Sequence, residues 1–434
     1  MRQILLRSGA EELSYEIRGI VKKARKIEAL GHKITWENIG DPIQKNNIVP
    51  KWIKDIVVEL SQENQSYGYA DSKGVLETRQ FLATVNNAQG GAQITEEDIL
   101  FFNGLGDAIA KLYQFLTPTA RIIGPSPAYS THSSAEAAHA NAAPITYILD
   151  PDNGWFPDMD DLYNKVKYNP SIVGILIINP DNPTGMVYPK EVLEQFVKIA
   201  KEFNLLIIAD EIYQNITYNG KKTITLAEII DDLPGISLKG ISKEVPWPGS
   251  RCGWMEFYNR NVSIEFNKLC QVLENAKMIE VCSTILPQLA IPKIYSHPLY
   301  TSYRQDLNKK IGRRSKLMAE LLGDVKGIKF NQTNGAFYNT IVFDENVLNE
   351  SQFLDLPKAE QELFDNWVES EKMALDKRFV YYLLLSEKIC VVPVSSFCSN
   401  LLGFRVTLLE ENDSLFIDTF KKISNAIQKY LKSA

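Results

Sequence analysis

A lysine and an arginine flank a stiff, apolar loop in the segment ISKEVPWPGSRCGW (241–254). Lys243 follows a run of mostly apolar residues that predicts a buried strand, and Arg251 follows two prolines. A lysine amine that loses hydration in an apolar cleft becomes competent as a nucleophile or a proton carrier. Most lysines lie on surfaces, so the functional interpretation of Lys243 depends on its neighbours.

Asp210 ends a second apolar run, in the segment IIADEIY (207–213). A carboxylate at the end of a buried strand is costly unless it is paired. Asp210 therefore either caps a helix, joins a structural ion pair or holds a proton on a heterocyclic nitrogen. Tyr213, three residues on, either donates its phenol into the same cleft or packs in the core.

Two loops follow predicted strands. In NPDNPTG (179–185), Asn182 stands between two prolines that would fix its side-chain amide. In NGLGDA (103–108), the chain turns from a strand into a helix, whose first amides are free to bind a phosphate. Gly104 and Gly106 half-match the glycine pattern of dinucleotide-binding folds, but the third glycine of that pattern is missing.

Three further side chains are candidates to bind an anion or a planar ring. Arg251 is a candidate clamp for a phosphate or a carboxylate, because a guanidinium binds such anions bidentately. Arg405 lies inside the apolar run LLGFRVTLLE, where it requires an anion: a substrate carboxylate and a structural acid satisfy it equally well. Tyr129 either stacks on a planar ring or belongs to the core.

These side chains require a scaffold that brings several strand ends together. Apolar strands alternate with amphipathic helices, which predicts a mainly parallel sheet covered on both faces. Ligands bind such sheets beyond the carboxyl ends of the strands, where the candidates above are found. A smaller α+β domain is predicted towards the C-terminus, with a linker near 290–315 and a polar, helix-prone segment at 344–378. The predicted strands are 98–103, 173–180, 205–210, 235–242, 388–394 and 404–410, and the predicted helices include 189–204 and 414–431.

Composition narrows the possible partners. The 434 residues include 47 basic and 53 acidic side chains, a net charge of −6, which argues against nucleic acid or an anionic membrane as a partner. Four histidines and five scattered cysteines give no metal-binding or disulfide pattern. No signal peptide or membrane span is recognisable, so we expect a cytoplasmic protein without a metal.

The candidate groups together complement pyridoxal 5′-phosphate (PLP), whose aldehyde requires an amine, whose ring nitrogen requires an acid and whose phosphate requires amides and arginine. From about residue 14 to 430 the chain resembles fold-type I PLP enzymes, specifically class I/II aminotransferases. SYEIRG, GYADSKG and DNGWFPDMDD make it most similar to the alanine aminotransferase group. The motifs that occur in the family's order are NIGDP, YGYADSKG, DNGWFPDMDDL, INPDNPTG, IIADEIY, ISK…PGSRCGW, NGAFY and FRVTLLE.

The resemblance implies an α/β fold with two domains. The large PLP-binding domain, 50–310, would contain a mainly parallel seven-stranded sheet. The small domain would combine 1–49 with 311–434. It also implies a homodimer, since Tyr69 of the partner subunit would complete the phosphate site.

The resemblance also assigns roles. Lys243 would hold PLP as a Schiff base and move the substrate α-proton, and Asp210 would pair with the ring nitrogen. The remaining assignments are Asn182 and Tyr213 to the ring hydroxyl, Tyr129 to the ring face, Gly104, Leu105, Gly106, Ser242, Arg251 and Tyr69 to the phosphate, and Gly40, Asn182 and Arg405 to the substrate α-carboxylate. Tyr15 and Arg18 would contact the substrate, with Arg18 receiving a distal carboxylate or lying on the surface.

The implied reaction is amino transfer between an L-amino acid, alanine or a similar small or dicarboxylic one, and a 2-oxo acid such as 2-oxoglutarate, in two half-transfers. Gly240 stands where the family often has serine, which removes one phosphate hydroxyl. β-Elimination or decarboxylation with the same cofactor stays open. A nucleotide-dependent dehydrogenase is a second alternative, and it is supported by the partial glycine motif alone. A non-catalytic regulator is disfavoured, because the short N-terminus has no room for a DNA-binding module.

Overall fold

The computed structural model describes residues 6–13, 17–369 and 373–433, without the side chains of residues 17 and 18. The strands are β1 (Thr35–Trp36), β2 (Ile99–Phe102), β3 (Arg121–Ser126), β4 (Thr146–Asp150), β5 (Phe156–Pro157), β6 (Ile172–Ile178), β7 (Leu206–Asp210), β8 (Gly235–Gly240), β9 (Gly253–Tyr258), β10 (Ile328–Phe330), β11 (Tyr338–Phe343), β12 (Ile389–Cys390), β13 (Val392–Pro393) and β14 (Gly403–Thr407).

Fourteen α-helices lie within the described ranges, and short 3₁₀ turns connect some of them. The helices are α1 (Ile17–Ala29), α2 (Lys51–Ser61), α3 (Leu76–Ala88), α4 (Leu105–Phe115), α5 (Ser130–Ala140), α6 (Met159–Tyr168), α7 (Lys190–Phe203), α8 (Leu226–Ile229), α9 (Ile264–Glu280), α10 (Ile285–Tyr295), α11 (Tyr300–Leu322), α12 (Lys358–Glu369), α13 (Leu375–Glu387) and α14 (Asp413–Leu431). Every helix in these ranges is too short or too polar to cross a membrane.

The large sheet has the strand order β2-β9-β8-β7-β6-β3-β4-β5. Strands β8, β7, β6, β3 and β4 are parallel to one another, whereas β9, β2 and β5 pair antiparallel with their neighbours. The predicted α/β class with a mainly parallel sheet is therefore confirmed. The sheet has eight strands rather than the predicted seven, and one of the eight is the two-residue edge strand β5.

The central strands are continuous apolar runs because both faces of the sheet are covered. Every residue of β2 and β8 is buried, as are six of the seven in β6. Strand β8 ends at Gly240, two residues earlier than predicted, and the chain then turns. Lys243 thus lies in the turn that follows the strand, at the carboxyl end of the sheet.

The smaller sheet has the order β10-β11-β14-β13 and is antiparallel, while β1 pairs in parallel with β12. Its core contains apolar side chains of α11, α13 and α14. No strand forms in the described residues of 344–378, as expected from their polarity. The predicted linker region 290–315 is helical, occupied by α10 and α11. The domain limits 50–310, and 1–49 with 311–434, stay a prediction.

A buried ion cluster fixes the segment between β1 and α2 to strand β14. The Nζ of Lys45 donates to Glu37 Oε1 at 2.9 Å and to the Trp36 carbonyl at 3.0 Å, and it lies 3.3 Å from Glu410 Oε2. Thr407 of β14 donates its hydroxyl to the other Glu37 oxygen at 3.0 Å. Burial raises the pKa of Glu37 above its usual value, and Lys45 opposes that shift.

We expect Lys45→Met to destabilise the protein by about 3–5 kcal/mol, because two buried carboxylates lose the cation that they share. The measurement is urea-induced unfolding. Lys310→Met is the matched control: Lys310 pairs with Glu411 at 2.6 Å, but both side chains are partly exposed, so a loss of about 0–1 kcal/mol is expected. Equal losses in the two variants would contradict a stabilising role for the buried cluster.

Candidate active site

A cavity of about 580 Å³ lies at the carboxyl ends of β6, β7 and β8 and is bounded on its other side by the smaller sheet. Most residues that the sequence singled out line it. These are Gly40, Leu105, Gly106, Tyr129, Asn182, Asp210, Tyr213, Ser242, Lys243, Arg251 and Arg405. Gly104 and Tyr69 do not line it, and Tyr15 and the Arg18 side chain lie outside the described part of the chain.

Lys243 presents its amine to this cavity. Its Nζ donates to the Gly40 carbonyl at 2.8 Å and lies 5.9 Å and 5.8 Å from the ring centroids of Tyr213 and Phe337. The side chain is half-buried. A lysine held by one neutral carbonyl between aromatic rings is free to exchange that contact for a bond to a ligand.

Asp210 is buried at the end of β7 and is paired with a histidine. Its Oδ2 lies 3.0 Å from Nε2 of His132 on α5, and its Oδ1 accepts from the Ile212 amide at 3.2 Å. Among the described residues no lysine or arginine lies within 4.0 Å of this carboxylate, so it does not serve a structural ion pair with either. His132 and the Ile212 amide thus hold the carboxylate in place, and it can accept a hydrogen bond from a protonated heterocycle in the cavity.

Arg405 is a buried cation with neutral partners. Its Nη1 donates to Asn182 Oδ1 at 3.0 Å and its Nη2 donates to the Asn38 carbonyl at 2.8 Å. Within the described ranges no carboxylate lies within 4.0 Å of the guanidinium. The sequence left two possible partners for Arg405, a structural acid and a substrate carboxylate. No structural acid is found among the described residues around it, so the arrangement suits the carboxylate of a ligand.

Tyr213 remains a hydrogen-bond donor. Its hydroxyl donates to the Tyr338 hydroxyl at 3.2 Å. Burial raises the pKa of Tyr213 well above its ordinary value, and the neighbouring Tyr338 adds to the shift. The phenol therefore stays protonated at any physiological pH and can donate to an oxygen in the cavity.

The loop before α4 and the guanidinium of Arg251 form a cradle for an anion. Gly104 precedes the helix with φ of 85°, and a Cβ at this position would lie 2.5 Å from Arg251 Nη2. Leu105 and Gly106 occupy the first turn, where amides have no acceptor within the helix. A helix N-terminus beside an exposed arginine attracts a phosphate, and Ser242 lines the same cavity.

Comparison with known proteins agrees with this geometry. The profile of the family described as aminotransferase class I and II matches residues 32–414. The chain belongs to the class I and II aminotransferases. It is 54% identical, over the full length of both chains, to an uncharacterized aminotransferase of Methanocaldococcus jannaschii. It is 31% identical to the glutamate-pyruvate aminotransferase AlaA of Escherichia coli K12, over 90% of this chain and 89% of that one.

A solved structure titled alanine aminotransferase from Pyrococcus furiosus superposes with a TM-score of 0.83 at 26% identity, covering 97% of this chain and all of that one. A structure of an aminotransferase from Escherichia coli gives 0.85 at 28% identity, covering 99% and 100%. Members of this family are PLP-dependent enzymes. This chain is therefore an aminotransferase that uses PLP.

The residues of the cavity fit that cofactor. The Lys243 amine and the Asp210 carboxylate line the same cavity, together with the Tyr213 phenol, which stays protonated. Asp210 pairs with His132 but with no lysine or arginine of the described residues. At the phosphate end, the Arg251 guanidinium lies close to the backbone of Gly104, whose φ of 85° is unfavourable for a residue with a side chain. PLP would thus be held by Lys243, Asp210 and the loop before α4.

Sequence reasoning overlooked three contributors. His132 stands three residues after Tyr129 in the motif GPSPAYSTH and lies in the first turn of α5, the helix that Tyr129 precedes. Tyr338 is the last residue of the motif NGAFY, but no role was assigned to it from the sequence. Asn38 contributes a backbone carbonyl, and such a contact has no signal in the residue type.

We expect Gly104→Ala to weaken PLP binding by about tenfold or more. The new methyl group would overlap Arg251, and φ of 85° is unfavourable for alanine. Apparent cofactor affinity, measured by titrating apoenzyme with PLP, tests this. Gly249→Ala is the control, because a Cβ there meets nothing within 4 Å; similar affinities for the two variants would contradict the cradle.

Proposed function

We propose that this enzyme transfers an amino group between a small L-amino acid, alanine or a similar one, and a 2-oxo acid such as 2-oxoglutarate. The observation that carries the proposal is the buried Arg405 guanidinium, whose partners are neutral and which faces the cavity that also contains Lys243 and Asp210. This arrangement suits a substrate with a free carboxylate, which Arg405 would bind next to the Lys243 amine. The similarity to the glutamate-pyruvate aminotransferase of E. coli supports alanine and 2-oxoglutarate as the pair.

When bound, PLP supplies an electron-accepting ring that stabilises negative charge on the substrate α-carbon. Asp210 would keep a proton on the ring nitrogen, and its contact with His132 would hold the carboxylate in place for that purpose. Tyr213 would turn its phenolic proton from Tyr338 to the ring hydroxyl, and the Asn182 amide would donate to the same hydroxyl. Tyr129 would cover one face of the ring.

Lys243 moves the proton of the substrate α-carbon. Its amine leaves the Gly40 carbonyl, to which it now donates, and acts as a base within reach of the cavity. Arg405 and Asn182 hold the α-carboxylate, which fixes the direction of the α-C–H bond toward the amine. The backbone of Gly40 would also help to hold the α-carboxylate. Since one cavity serves both the amino acid and the 2-oxo acid, the two substrates would react in alternation, in a ping-pong cycle.

The enzyme is proposed to act as a homodimer. Tyr69 is 85% exposed and lies outside the cavity of its own chain. Several apolar side chains are also exposed, among them Ile279 at 87% and Tyr67 at 77%, as expected for a surface that is covered in an assembly. Tyr69 of the partner subunit would then join Ser242 and Arg251 at the phosphate. A two-domain division at 50–310, and a cytoplasmic location, are part of the same proposal.

We expect Lys243→Ala to abolish amino transfer, since the variant lacks both the attachment point and the base. Borohydride treatment of the PLP-loaded wild type should add the mass of the reduced cofactor to the peptide that contains residue 243, and the variant should gain none. Turnover by Lys243→Ala at the wild-type rate would refute the assignment. A labelled peptide elsewhere in the chain would do so as well.

Tyr15 and Arg18 are proposed to contact the substrate from the N-terminal segment, with Arg18 at the distal carboxylate. We expect Arg18→Ala to lower kcat/KM for glutamate by about tenfold or more, the effect of one lost charged hydrogen bond, and for alanine by much less. Product analysis with alanine, aspartate and methionine plus 2-oxoglutarate, and with glutamate plus pyruvate as the acceptor, provides the measurement. Lys26→Ala, an exposed residue of the same helix, is the control. Equal losses for both donors would remove Arg18 from this role, and release of CO₂ or ammonia would indicate decarboxylation or elimination instead.

A further inference from the structure

Tyr338 contacts the groups proposed to bind the cofactor and those proposed to bind the substrate. It is the first residue of β11 and is buried. Its hydroxyl accepts a hydrogen bond from Tyr213 at 3.2 Å. Its ring lies under Arg405, with 4.1 Å between the guanidinium carbon and the ring centroid. One side chain thus joins the two halves of the site.

The sheet register places the ring against the guanidinium. Strand β11 pairs antiparallel with β14, so that Tyr338 is opposite Thr407 and Thr340 is opposite Arg405. Tyr338 and Arg405 are therefore diagonal neighbours on one face of the sheet, within reach of each other. A cation over the face of an aromatic ring in a buried site is attracted strongly, which limits the directions that Arg405 can take.

The hydroxyl of Tyr338 is confined from two sides. A Cβ on Gly40 would lie 1.8 Å from this oxygen, so the phenol occupies the space that any other residue at position 40 would fill. On the other side it meets the hydroxyl of Tyr213. Gly40 also accepts the hydrogen bond from Lys243. Movement of the Tyr338 oxygen would thus displace Tyr213, the Gly40 segment or both.

We propose that Tyr338 is a positioning residue with two separable roles. Its ring orients Arg405 for the α-carboxylate of the substrate, and its hydroxyl holds the Tyr213 oxygen in place beside the cofactor site. When the cofactor is bound, Tyr213 would turn its one phenolic proton to the cofactor and accept from the Tyr338 hydroxyl instead. The proposal rests on the proposed functions of Arg405 and Tyr213. A tyrosine that only fills the core would show neither role separately.

Three variants of the PLP-loaded enzyme distinguish these roles. Tyr338→Phe removes the hydroxyl and keeps the ring, and Tyr338→Met removes the ring while retaining apolar volume. Tyr218→Phe is the matched control, because it removes a buried hydroxyl that bonds to Thr333 and the Gly335 carbonyl and does not line the cavity. The measurements are the visible absorption spectrum of the bound cofactor, KM and kcat for alanine, and the Kd of glutarate, an unreactive dicarboxylate.

We expect Tyr338→Phe to change the cofactor spectrum and to lower kcat, with KM for alanine and the Kd of glutarate within about twofold of wild type. Tyr338→Met should in addition raise that KM and Kd by about tenfold. Tyr218→Phe should resemble the wild type in every measurement. If Tyr338→Met does not fold, Tyr338→Leu replaces it.

A spectrum and kcat of Tyr338→Phe identical to those of Tyr218→Phe would overturn the role of the hydroxyl. A glutarate Kd no higher for Tyr338→Met than for Tyr338→Phe would overturn the role of the ring. Failure of the proposed function is distinguishable from both outcomes: a wild type that transfers no amino group still gives a cofactor spectrum and a glutarate Kd, and those two measurements test Tyr338 on their own.

Discussion

Arg405 is buried without a carboxylate partner among the described residues, and this is the constraint on which the site depends. A guanidinium in the interior of a protein is costly unless an anion meets it. Here the amide oxygen of Asn182, the carbonyl of Asn38 and the ring of Tyr338 support the charge without neutralising it. Arg405 therefore lacks, within the described part of the chain, the anionic partner that would stabilise it. A substrate carboxylate would supply that partner and would be oriented by the same contact.

That constraint explains why two sheets are needed. Arg405 lies on β14 of the smaller sheet, whereas Asn182 and Asp210 follow β6 and β7 of the large one. The substrate carboxylate and the cofactor ring are therefore held by different layers of the molecule. The buried contact of Lys45 with Glu37, next to Thr407, connects the segment that carries Gly40 to the strand that carries Arg405.

Close backbone approach sets the remaining dimensions of the cavity. Gly104 admits Arg251 and Gly40 admits the hydroxyl of Tyr338, at distances that a Cβ would prevent. Both glycines contribute because they lack a side chain: Gly104 leaves space at the phosphate end of the cavity, and Gly40 leaves space beside the Lys243 amine. The buried Tyr338 hydroxyl is confined in this way between Gly40 and Tyr213, whereas the exposed Arg251 is not.

The sequence alone determined the α/β class, the main strands and the chemical identity of most site residues. Continuous apolar runs that alternate with amphipathic helices favour a parallel sheet covered on both faces, and polar residues directly after such runs then lie at the carboxyl ends of its strands. Only the tertiary structure decided the partners: His132 behind Asp210, Asn38 and Tyr338 around Arg405, and the helical course of 290–315. Those contacts join residues that are far apart in the chain, or use backbone carbonyls common to all residues, so no local pattern encodes them.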